Sequence, residues 1–252
     1  MDNRGVSEVV GYVLMFAITL LALSTVVFFG VGALDEARSS VVTDSGEFAM
    51  QTLESDLHAL YRGSATTRVT EISAAQASIE SGETTTIRID AEVGGTTELD
   101  ATRSFRPIVY RTDDAAIAYE NTLVARTQTD GAVAVTESLV TTSTEEVVLP
   151  VVLTVPVDEN ASAGSTTGVR LRRNGSTGAV VRQSGASPVS VTLEVLTTEK
   201  RADVWERELS ARFEGLPGPG CSRPGGPSDT EVQCQFETDT LVVSFVTVEY
   251  DF

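Results

Sequence analysis

VVGYVLMFAITLLALSTVVFFGVGAL, residues 9–34, decides how the rest of the chain is read. No charged side chain stands between Glu8 and Asp35. At 1.5 Å of rise per residue the run makes a helix of roughly 39 Å, longer than the hydrocarbon core of about 30 Å. A soluble core rarely hides a helix that is apolar on every face for so long, so the run predicts a transmembrane segment over residues 6–34. A secretory signal peptide fits less well. Its apolar part covers only about 7–15 residues and closes at a small-residue cleavage site, which this run lacks.

Ahead of the run, MDNRG sets Arg4 and the amino terminus against Asp2, a slight positive-inside bias. The expectation is a single-pass protein of the cell membrane, with its N-terminus cytoplasmic and its bulky acidic remainder outside. Two cysteines and two N-x-S sequons, at Asn160 and Asn174, suit that side.

The stretch Arg4-Gly5-Val6-Ser7-Glu8-Val9-Val10-Gly11-Tyr12-Val13-Leu14 resembles the N-terminus of archaeal, especially haloarchaeal, type IV pilin-like proteins. The resemblance implies that a prepilin peptidase-like enzyme removes residues 1–5 by cutting between Gly5 and Val6, before the helix. It also implies assembly with other pilin-like subunits, as a homo- or hetero-polymer. Many pilins carry a glutamate fifth in the mature chain, which neutralises a neighbour's new amino terminus. Here Glu8 stands third, and two roles stay open for it: a hydrated interfacial carboxylate, or that pairing. Further on, Arg106-Pro107-Ile108-Val109-Tyr110-Arg111 is similar to a stretch of uncharacterised haloarchaeal proteins built on the same plan.

Charge narrows the function classes. The 252 residues hold 36 Asp plus Glu against 18 Lys plus Arg, a net charge of −18, so a partner read through phosphate neutralisation, such as nucleic acid, is not expected. Lys200 is the only lysine. An acidic surface that keeps Arg and sheds Lys suits high salt, where a Debye length of about 3 Å at 1 M screens self-repulsion. His58 is the only histidine, so no Cys/His metal cluster can form around it, and neither metal nor cofactor is expected.

Past the apolar run the period changes. Leu34, Val41, Phe48, Leu53, Leu57 and Leu60, with acids between them, predict an amphipathic helix or stalk over residues 35–63, closed by Arg62-Gly63. Gly30, Gly32 and Gly46 offer places to bend. From residue 64 to 252 the pattern is β. Residues 84–93 and 189–195 alternate, Asp130-Gly131 and Asn174-Gly175 mark hairpin turns, and residues 231–237 pair with 241–250 as a last hairpin. Pro150 and Pro156 push the apolar stretch VVLPVVLTVPV towards a sheet edge or a bulge. Trp205, Leu209 and Phe213 give one late helix over residues 201–214 an apolar face. The fold class expected is α+β: a long N-terminal transmembrane and amphipathic helix, then a mostly antiparallel β-sandwich-like head with one late helix.

Cys221 and Cys234 bracket a Pro/Gly-rich loop, and a disulfide between them is the direct reading. Arg170, Arg172, Arg173 and Arg182 fall on one expected hairpin. They form either a solvated face paired with acids or an anion-binding patch for surface glycans, DNA or a partner subunit. His58 reads as a packed or solvated residue, since no nucleophile motif accompanies it, and no G-x-S-x-G, P-loop or EF-hand is present. The expectation is a non-enzymatic, membrane-anchored pilin-like surface protein with a structural, assembly or adhesion role. The alternative is an anchored extracytoplasmic binding module that does not polymerise.

Overall fold

A computed structural model describes residues 4–74, 76–143, 145–158, 162–164 and 166–252, and within the first helix the side chains of residues 10–26 and those from 37 onward. The chain divides into two units, Met1–Val42 and Thr43–Phe252. Helix α1 (Arg4–Tyr61) opens it. Strands follow in chain order as β1 (Thr67–Ile72), β2 (Ser78–Ser81), β3 (Thr85–Val93), β4 (Thr96–Phe105), β5 (Ile108–Arg111) and β6 (Ala115–Glu120). Next come β7 (Leu123–Gln128), β8 (Gly131–Ala134), β9 (Thr141–Thr142), β10 (Glu146–Pro156), β11 (Ser162–Ala163), β12 (Thr167–Arg182) and β13 (Val189–Leu196). Helix α2 (Glu199–Arg212) precedes β14 (Gly220–Ser222), β15 (Glu231–Thr238) and β16 (Thr240–Asp251).

Among the described residues no helix is long and apolar enough to cross a membrane. This corrects the transmembrane segment expected over residues 6–34. It also corrects the single-pass location with a cytoplasmic N-terminus and an outer head.

The fold class is corrected as well. The chain is β-rich, and its described strands form three sheets where a two-sheet sandwich was expected. Sheet I runs β1-β12-β16-β10-β9, sheet II β11-β2-β5-β6-β7-β8, and sheet III β14-β15-β13-β3-β4. The expected last hairpin does not form. β15 pairs with β13 in sheet III, whereas β16 pairs with β12 and β10 in sheet I, so the chain changes sheets at Asp239. β10 lies parallel to β16 along its whole length. Among the described residues the ladder on its other side is the short β9, at Val147 and Val148, so Pro150 and Pro156 have no ladder partner there to deprive of an N–H.

Asn174-Gly175 is likewise no turn. It sits inside the continuous strand β12, where the register against β16 shifts between Arg173 and Gly175. A glycine relaxes a bulge as readily as it makes a turn, and the unbroken partner β16 selects the bulge. Asp130 does precede the tight β7–β8 hairpin.

Two apolar cores flank sheet I. One collects Leu241, Val243 and Phe245 of β16 with strands of sheet III and with Trp205, Leu209 and Phe213 at the second helix. The other collects Val246, Val248 and Tyr250 of β16 with strands of sheet II and with Met50, Leu53, Leu57 and Leu60 of α1. Those four helix side chains are fully buried and each contributes about 2 kcal/mol of hydrophobic stabilisation. The buried stripe is Thr43, Gly46, Met50, Leu53, Leu57 and Leu60, spaced 3, 4, 3, 4, 3, while Val41 and Phe48, expected on it, are exposed. Gly46 is a point of close approach: a Cβ there would stand 2.4 Å from Cε1 of Tyr110.

Candidate functional site

Residues 10–26 of α1 expose large apolar side chains on every face, among them Tyr12, Met15, Phe16, Ile18, Leu21 and Val26. A helix that is apolar all round is stable in water only when neighbours cover it. Its polar atoms are prepared for such cover. The Thr19 hydroxyl donates to the Met15 carbonyl at 2.6 Å, and that of Thr25 donates to the Leu21 carbonyl at 2.8 Å. Both hydroxyls can therefore leave water without losing a partner. Gly5, Val6 and Glu8 lie in the same helix, and their side chains are outside the described residues.

The four arginines expected on one hairpin do not form one patch. Arg170, Arg172 and Arg182 are exposed on β12, but Arg172 is opposite Glu249 and Arg182 opposite Thr240. Ten residues of strand separate those two, about 30 Å. Arg172 donates to one oxygen of the Glu249 carboxylate and the Asn174 amide donates to the other. Arg170 lies across from Asp251 in the register. Asn174 is exposed on the bulge, and Asn160 falls outside the described residues.

Arg173 takes a different direction and joins Arg62, which sequence reasoning had assigned only to closing α1. The two line an open groove of about 510 Å³ with Tyr61, Ser176, Thr177 and Ser244. The Tyr61 and Ser244 hydroxyls are hydrogen-bonded at 2.6 Å, which fixes the ring as one wall.

Two buried polar clusters were not foreseen. In the first, Thr136 donates to Glu54 Oε1 at 2.7 Å, with His58 Nε2 3.8 Å from the same oxygen. Burial pushes the Glu54 carboxyl up, towards its protonated form. Burial, and then the Arg62 charge, push His58 down to about 4. Tyr119, with its hydroxyl buried and unpartnered among the described residues, is held well above the usual phenol range by burial and by Glu54. In the second cluster, Glu120 at the end of β6 accepts from Thr85, from Thr197 at 2.6 Å and from the Trp205 indole at 2.9 Å. A lone acid inside the apolar stretch AAIAYENTLVA was the signal available for it. These clusters tie α1 and α2 to the sheets. Among the described residues no group of three or more His, Cys, Asp or Glu could hold a metal.

Cys221 and Cys234 form a disulfide between β14 and β15. Around it, Arg223 reaches Asp203 and the Asp229 carbonyl. The Asp229 carboxylate is held below its usual range by the backbone N–H groups of Gly225 and Glu231.

A family model described as Family of unknown function (DUF7289) matches residues 4–251. Neither a curated protein nor a solved structure matches the chain.

Proposed function

The chain belongs to the DUF7289 family, and on that premise we propose that it is a non-enzymatic, pilin-like assembly subunit whose α1 packs among the α1 helices of other copies. The observation that carries this reading is the apolar cylinder of residues 10–26. A single partner would cover one side of it. Only a bundle surrounds it, which favours a polymer over a dimer. The internal hydroxyl bonds of Thr19 and Thr25 suit the same dry setting.

Removal of residues 1–5 by a prepilin peptidase-like enzyme belongs to this proposal. It frees the α-amino group of Val6, and Glu8 of a neighbouring copy neutralises that group within the bundle. The test is to shear cells and analyse the released material. The full chain is expected there, lighter by the five leader residues. Glu8→Gln is expected to keep processing and to lose the sheared material. Wild-type protein that never enters the sheared fraction, or that enters it with Met1 intact, overturns the proposal.

A further inference from the structure

The groove beside the end of α1 points to a ligand that goes beyond the assembly reading and does not depend on it. We infer that it binds a sugar bearing one anionic group, a carboxylate or a sulfate ester, which Arg62 and Arg173 hold.

The charge pattern comes first. Acids outnumber bases 36 to 18, so a cation meets a carboxylate easily. Arg68 has Asp56, Arg111 has Glu80, Arg126 has Glu47 and Arg172 has Glu249. Arg62 and Arg173 share a groove that no carboxylate lines, and among the described residues neither guanidinium forms an ion pair. The lining of the groove thus brings two positive charges and no negative one to offset them.

Capping the helix does not account for them. The carbonyls of His58, Ala59 and Leu60 at the end of α1 already accept from the backbone N–H groups of Arg62, Ser64 and Gly63, and the Ser64 hydroxyl adds a second bond to Ala59. Neither guanidinium is needed there.

Size and lining define the rest of the ligand. About 510 Å³ is the scale of a small-molecule site, far more than a bare ion fills. The planar forks of two arginines match the oxygens of a carboxylate or sulfate. Ser176 and Thr177 bring hydroxyls for a sugar's own hydroxyls, and the fixed Tyr61 ring offers an apolar wall to a sugar face.

Calorimetric titration of the full chain, dispersed in mild detergent, tests this with four probes: glucuronic acid, glucose 6-sulfate, glucose and inorganic sulfate. Saturable binding of the first two and none of glucose is expected. Arg62→Gln and Arg173→Gln should each weaken binding about tenfold at an unchanged melting temperature, the loss of one charged hydrogen bond. Arg182→Gln, at the far end of β12, should leave binding unchanged. No saturable binding of either anionic sugar overturns the inference. So does inorganic sulfate binding as tightly as the sugars, or an equal loss in Arg182→Gln.

Discussion

Arg201 meets Glu120 inside the protein, its Nε 3.4 Å from Glu120 Oε2, with the arginine side chain 7% exposed and the carboxylate fully covered. The pair joins α2 to the end of β6, and the Trp205 indole and the Thr85 and Thr197 hydroxyls also donate to the carboxylate. Removing one member strands the other as a buried charge.

Glu120→Gln should therefore cost about 3–5 kcal/mol in denaturant unfolding, and Arg201→Met a similar amount. The double variant Glu120→Leu/Arg201→Met should recover most of the loss, because two apolar groups leave no charge uncompensated. Additive losses in the double variant would show that the pair is not coupled.

His58 should give the fold an acid-sensitive slope. Its folded-state value of about 4 lies below the ordinary 6.5, so between those pH values the unfolded chain binds a proton that the folded chain refuses. Its contribution is complete above pH 6.5 and is lost as pH falls, by about 3 kcal/mol at full linkage. Glu54 acts in the opposite sense. Its raised value lends stability below 4.5 that is lost as pH rises. Glu54, Arg62 and the Thr122 carbonyl face the imidazole. His58→Gln should flatten the wild-type slope between pH 6.5 and 4, and an unchanged slope would place the effect elsewhere.

Gly46→Ala should destabilise the protein by about 1–3 kcal/mol, the usual cost of overpacking, because its Cβ would enter the buried Tyr110 ring. Adding Tyr110→Leu should return part of that loss in thermal unfolding.

Alkylation without reductant should leave Cys221 and Cys234 unlabelled. Cys221→Ser/Cys234→Ser should lower stability by about 3 kcal/mol, the loop-closure value for a loop of this size. Proteolysis between residues 215 and 230 should accelerate with it. Unchanged cleavage would mean that Arg223 and Asp229 hold the loop unaided.

Short-range features of the sequence were legible. The alternation of β3 and β13, the apolar face of α2 and the pairing of the cysteines each depend on residues close together in the chain. Sheet membership was not legible, because no local signal tells β15 and β16 to part at Asp239 or β10 to align parallel with β16. The helix stripe failed for another reason. Phe48 drew the apolar reading to the wrong face, while Gly46, with no side chain to count, marked the correct one. Of the site, Arg173 was visible as one of four arginines. Arg62 was hidden because a cation in a last helical turn already has an explanation.

β16 divides both cores, yet it is the last strand to leave the ribosome among those described. Until it emerges, β12 and β10 lack the partner they share, and a nascent chain presents two long unpaired edges. Neither core can close around a growing polypeptide. Burial of both must wait for β16 and proceed as one non-local step.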